Sequence, residues 1–207
     1  TKEELEEFRS VLSGAQELPS GFFEDTILKV PSANIMNKLA RSVLALYSYD
    51  KNPESNSAAN MLRQCLELIA RFPTIVAHSY AAKKHYFDGQ SLYIHNPKPE
   101  LSEAENFLRM LRHDKSYTPE EARLLDLMLM IQAEHGGGNN STFTTHVVTS
   151  SGTDTYSAVV SSLASLKGPK HGGANLKVVK MFEDIKHNVK NWDDEEELTK
   201  YLDAILH

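Results

Sequence analysis

Two stretches of the chain set a histidine beside several glycines: Glu134-His135-Gly136-Gly137-Gly138-Asn139-Asn140 and Gly168-Pro169-Lys170-His171-Gly172-Gly173-Ala174-Asn175. Glycine lets a substrate approach the backbone closely and exposes amide hydrogens that can hold an anion. A histidine beside such a cradle can give a proton or hydrogen bond to a carbonyl oxygen that is becoming negative. The same residues also read as helix C-cap glycines beside a histidine that complements the helix dipole. One such site alone favours the cap. Two, each with more glycine than a cap needs, favour chemistry. Near the second cluster, Lys167, Lys170, Lys177 and Lys180 suit a phosphorylated ligand and equally a solvated helix face.

Other chemistries fail on their spacing. His135-Gly136-Gly137-Gly138 looks like the oxyanion loop of lipase-type hydrolases, yet no Gly-x-Ser-x-Gly elbow follows. Neither glycine cluster supplies the Gly-Lys-Ser/Thr of a phosphate-binding loop, and there is no His-Glu-x-x-His pair. His78 and His85 share a helix face, but no carboxylate or thiol is spaced to complete a metal site, so no metal is expected. His78, His85, His95, His113, His146, His187 and His207 are read as structural or solvated.

Composition narrows the class further. The net charge of -6, with both signs spread along the chain, argues against a nucleic-acid binder that works by neutralising phosphates. The single Cys65 excludes a disulfide framework and a multi-cysteine zinc site, and it suits a reducing cytoplasm. No run of apolar residues is long enough to span a bilayer. The chain opens on Thr1 with no initiator methionine, which leads us to expect that it starts inside a longer natural sequence.

The elements that must carry these loops read as helices nearly throughout. Thr1 caps a helix to Ser13 with Leu5, Phe8, Val11 and Leu12 on one face. Pro31-Ser32 starts a second, striped by Ile35, Met36, Leu39, Val43, Leu44 and Leu46. Ala58 to Arg71 reads as mostly buried, since Met61, Leu62, Cys65, Leu66, Leu68 and Ile69 cover over half its circumference. Pro73 is expected to interrupt it, with Thr74 to Tyr86 resuming. Ser102 caps the next helix. Thr118-Pro119-Glu120-Glu121 is a capping box with proline at the first helical position. The helix it starts is apolar on so many sides that it should sit centrally. Asn139 to Leu166 has β-branched residues but no strand alternation, and is read as two helices split by Gly152. Further helices run from Ala174 to about His187 and from about Asp193 to Leu206.

At the two glycine clusters the sequence resembles the citrate synthase family, which includes 2-methylcitrate synthases. Ala133 to Thr144 and Leu166 to Asn175 look like its two histidine signatures, in order and separation, as does Asn106-Phe107-Leu108-x-Met110 upstream. The resemblance covers essentially the whole chain. It implies an all-α, multi-helical fold, with residues 1–137 part of a large helical domain and 138–207 the start of a small domain, the boundary falling near Gly136 to Asn140. It implies condensation of acetyl-CoA with oxaloacetate to citrate and CoA, a reaction of the tricarboxylic acid cycle. His135 would hydrogen-bond the thioester oxygen, and His171 would polarise and protonate the oxaloacetate carbonyl. Leu166, Lys167 and Gly168 would lie against the CoA adenine.

The resemblance implies acetyl-CoA as co-substrate, no other cofactor, a homodimer in the full-length enzyme, and no nucleic-acid or membrane partner. The family's general-base aspartate and its carboxylate-binding arginines match positions beyond His207, so a chain of residues 1–207 is expected to be inactive alone. Where many relatives carry a histidine just before the Asn-Phe pair, this chain reads Glu103-Ala104-Glu105. The alternatives are a 2-methylcitrate synthase using propionyl-CoA, or a non-catalytic helical interaction module that keeps the loops as caps.

Overall fold

The computed structural model describes residues 1–134 and 136–206. Among them every regular element is a helix, in agreement with the all-α expectation. Two compact units form, Thr1–Ser165 and Leu166–His207.

The first unit begins with α1 (Lys2–Gly14), capped as expected by Thr1, with Glu4 completing a capping box. A wide helical turn, Phe23–Leu28, follows, in which the Lys29 amide donates to the Glu24 carbonyl at 2.9 Å. It seats Phe22 and Ile27 in the core. Helix α2 (Ile35–Leu46) starts beyond the predicted Pro31-Ser32. Its first free amide is captured by the Asn34 side chain, which accepts from the Asn37 N–H at 2.9 Å, while Ser32 is used in the preceding turn. Leu39, Val43 and Leu46 of α2 are buried. Lys38, beside them, is buried too, its ammonium donating to the carbonyls of Thr26 and Val30. Burial, and then the neighbouring Arg41, pushes that lysine down to about 8.

Helix α3 (Ala58–Asp88) is the spine of the unit, 31 residues packed against α1, α2, the wide turn and the later α4. The predicted break at Pro73 does not occur. Proline removes one N–H from the ladder and crowds the carbonyl four residues back, yet the residues on both sides are held by packing: Leu68 and Ala70 before it, Thr74, Ile75, Ala77 and His78 after it are buried. Nor is its first half mostly buried as expected. Leu62 and Ile69 are 61% and 58% exposed and Cys65 is exposed, whereas Gln64 is wholly buried. Gln64 turns inward to donate to Asp50, a partner that periodicity does not reveal.

Helix α4 (Glu103–Leu111) has a Ser102–Glu105 capping box, and α5 (Pro119–Ala133) a Thr118–Glu121 one. Against expectation α5 is not central. Ala122 is its buried residue, while Leu124, Leu127, Met128, Met130 and Ile131 are exposed. Its apolar residues ring the helix, so the packing of α4 along one side cannot cover them. Helices α6 (Asn140–Thr149) and α7 (Thr155–Lys167) replace the ambiguous β-branched stretch, and Gly152 turns between them at φ 78°. Small residues let the two approach closely: the hydroxyls of Thr145 and Ser162 lie 2.5 Å apart, and Asn140 donates to Ser165 at 2.8 Å.

The second unit holds the turn after α7, then α8 (Ala174–Asn188) and α9 (Glu195–Leu206). Its corner is tied by the Glu197 carboxylate, which accepts the backbone N–H groups of Lys190 and Asn191 at 2.9 and 3.0 Å. The Tyr201 hydroxyl adds a bond to Asp184. Among the described residues no helix is long and apolar enough to cross a membrane.

Candidate active site

His171 stands on the turn between α7 and α8, half-buried. Its amide donates to the Gly168 carbonyl at 3.0 Å, and the Gly172 amide donates to the same oxygen at 2.9 Å. The chain therefore folds back on itself tightly enough that side chains are excluded. A Cβ on Gly172 would sit 2.0 Å from the Leu166 carbonyl oxygen, and one on Gly173 would sit 2.3 Å from that of Pro169. These two glycines are required by the backbone's approach to itself, which fixes His171 relative to Leu166, Lys167 and Gly168. Leu166 and Lys167 close α7 and are exposed, with Gly168 half-buried just beyond. Lys170, Lys177 and Lys180 are exposed as well.

The first cluster differs. His135 lies outside the described residues. Gly136, Gly137 and Gly138 have nothing within 4 Å of a built Cβ, so no neighbour in the described structure demands glycine there. The Asn139 amide donates to the Gly136 carbonyl at 3.1 Å, and the Asn139 side chain caps α6 by accepting from the Ser141 N–H at 3.1 Å. Helix α5 ends on Glu134 in extended conformation. Among the described residues Gly137, Gly138, Gly168, Gly172 and Gly173 lack the positive φ that Gly89 adopts where it ends α3.

The upstream motif has a structural reason. Asn106 is wholly buried. Its amide nitrogen donates to the carbonyls of Lys98 (2.8 Å) and Leu101 (3.3 Å) and its oxygen accepts the Lys98 N–H at 2.8 Å, so it staples the loop before α4. Glu105, next to it, is committed to capping: it accepts from the Ser102 N–H at 2.9 Å, and those bonds hold its carboxyl below the usual range.

Most other histidines have structural work. His78, 3% exposed, donates from Nε2 to the His95 carbonyl at 3.1 Å. His95 likewise donates to the His113 carbonyl at 3.0 Å, and His85 to that of Gln90 at 2.8 Å. His146 and His187 sit in the last turns of α6 and α8, and His207 lies outside the described residues.

Sequence reasoning missed a buried polar centre at Asp50, read there only as a turn. Its side chain is 2% exposed. It accepts from the Asn52 N–H (2.9 Å), Gln64 (2.8 Å), Arg63 (2.7 and 2.8 Å) and the Tyr156 hydroxyl (2.9 Å). Burial alone would raise its pKa, but these donors outweigh it and hold the carboxyl well below the ordinary carboxylate range. Asp-x-Asn-Pro after a helix was the available signal, and it specifies a turn without revealing a buried charge.

Among the described residues every regular element is a helix, and comparison with known proteins identifies the family. All of residues 1–207 match the family profile described as citrate synthase, C-terminal domain. The chain is 36% identical over 191 residues to a citrate synthase of Deinococcus radiodurans, covering 89% of this chain and 47% of that protein. It is 30% identical over 194 residues to one of Saccharolobus solfataricus, covering 93% and 49%. The crystal structure of citrate synthase from Pyrobaculum aerophilum superposes with a TM-score of 0.77 at 33% identity, over 89% of this chain and 46% of that one. The chain belongs to the citrate synthase family, a family of acyl-transferring enzymes. It spans about half the length of the curated relatives it matches.

Proposed function

We propose that these residues form the histidine-bearing part of a citrate synthase, which joins the methyl carbon of acetyl-CoA to the ketone carbon of oxaloacetate and then hydrolyses the thioester. In this reading His135 donates a hydrogen bond to the thioester oxygen as the methyl group loses its proton, stabilising the enol or enolate. His171 polarises the oxaloacetate carbonyl and protonates its oxygen as the new carbon–carbon bond forms. Water then attacks the citryl thioester, releasing citrate and CoA. Leu166, Lys167 and Gly168 lie against the adenine of CoA, which serves as co-substrate with no other cofactor.

The observation that carries the proposal is the Gly168–Gly173 turn. Its backbone closes on itself at Gly172 and Gly173, holding the His171 backbone beside Leu166, Lys167 and Gly168, which supports giving one turn a part in binding both substrates. The large domain would comprise residues 1–137 and the small domain would begin at 138. The working enzyme would be a cytoplasmic homodimer with no nucleic-acid or membrane partner; the exposed apolar residues of α5 suit a surface covered in an assembly.

The test is product identification. A full-length enzyme carrying this chain, given oxaloacetate and acetyl-CoA, is expected to release CoA and form citrate. Greater turnover of propionyl-CoA would favour the 2-methylcitrate alternative, and no condensation with either thioester would contradict the proposal. Within residues 1–207 no base is assigned for the methyl proton. The 207-residue chain is therefore expected to show no citrate formation, and measurable turnover by it would overturn that expectation.

A further inference from the structure

We propose that Asp50 and Tyr156 are positioning residues: they fix the start of α7, the helix on whose last turn Leu166 and Lys167 stand. The inference rests on the citrate synthase reading for what those residues do. Three polar ties converge on the start of α7. The Tyr156 hydroxyl donates to Asp50 at 2.9 Å, the Thr155 hydroxyl donates to Gln64 at 2.6 Å, and the Asn56 amide donates to the Gly152 carbonyl at 2.8 Å just before the helix.

The receiving groups are themselves immobile. Gln64 is wholly buried on α3, and Asp50 is gripped by the Asn52 amide, Arg63 and Gln64. The Tyr156–Asp50 bond is part-buried and charge-assisted, which makes it the strongest of the three and narrow in its geometric tolerance. Further along, α7 is held by softer contacts: Leu163 in the core, and hydroxyl bonds from Ser162 and Ser165 to α6. A helix of 13 residues is about 20 Å long. A tilt of about 10° about its anchored start would move its far end by about 3 Å, several times the displacement that costs an enzyme most of its rate.

Tyr156→Phe removes one hydroxyl and keeps the ring. In a full-length enzyme carrying this chain it is expected to lower kcat/KM for acetyl-CoA at least fivefold, mainly through KM. Val43→Ala, a core truncation on α2, is the control: it lowers Tm at least as much and leaves kcat/KM within twofold. On the 207-residue chain, amide hydrogen exchange over residues 160–168 is expected to quicken several-fold in Tyr156→Phe and not in Val43→Ala. If Tyr156→Phe fails to fold, Thr155→Val takes its place in both measurements. A variant within twofold of wild type in kcat/KM, or unchanged exchange along α7, overturns the proposal. A wild-type enzyme that makes no citrate would instead contradict the function, and the exchange measurement would still decide whether Asp50 holds α7.

Discussion

Asp50 shows how a single carboxylate leaves a measurable signature. Its pKa in the folded chain lies below its unfolded value, so the stabilisation it gives is fully present above about pH 4 and is lost as pH falls further. Thermal unfolding between pH 2.5 and 6 is expected to show an acid limb that is shallower in Asp50→Asn. That variant should also be less stable at neutral pH, by about 2 kcal/mol, since Arg63 loses its buried partner. His78 acts with the same sign by another route. Burial pushes its imidazole below the ordinary value, outweighing the bond to the His95 carbonyl, and its Nδ1 is buried without a hydrogen-bond partner. Protonation therefore favours the unfolded chain, and stability falls as pH drops through about 6.5. Tm measured from pH 7.5 to 5 should fall less steeply in His78→Gln than in wild type. At this scale the sequence was legible where a residue's type dictates its use, as with the serine and threonines that cap. Asp50, Gln64 and Lys38 were illegible, because nothing local distinguishes a polar residue in a turn or helix from one that tertiary contacts bury.

Among the helices, the capping signals were read correctly and the apolar periodicity less so. Thr1, Ser102 and Thr118 each cap their helix as predicted, and the reciprocal box expected at Thr118 forms at all three. Thr118→Ala should cost about 1 kcal/mol in urea unfolding, because it removes the acceptor for the Glu121 N–H. Proline misled the reading of α3, since a residue that ends an isolated helix can sit inside one whose two halves are packed on the same neighbours. Pro73→Ala restores an amide donor mid-helix and should raise Tm, provided the exposed and half-buried surface around it is unchanged. Helix α5 was placed centrally on the number of its apolar residues. Number is a poor guide when the covering partners are unknown: a ring of leucines and methionines says that a helix is destined for burial, without saying against what.

As a whole molecule, the chain presents more apolar helix surface than a self-sufficient domain of its size would, along α5 and again on α8 at Leu176, Val179 and Phe182. The 207-residue chain should accordingly bind a hydrophobic dye and associate as its concentration rises, as sedimentation would show. A monodisperse, dye-silent monomer would contradict that. The family and the all-α fold were both legible in the sequence because two short signatures recur at the right separation on a helical background. What that left open was why the second signature takes its form, and the backbone supplies the answer in the approach of Gly172 to Leu166. The claim on which the rest depends is that two histidines, from separate loops, steady the charge that develops as carbon joins carbon. The most direct measurement is CoA release from acetyl-CoA and oxaloacetate by a full-length enzyme carrying this chain, compared with its His135→Gln and His171→Gln forms. Each substitution should lower kcat about a hundredfold or more with folding intact. Either variant turning over within threefold of wild type would contradict the account.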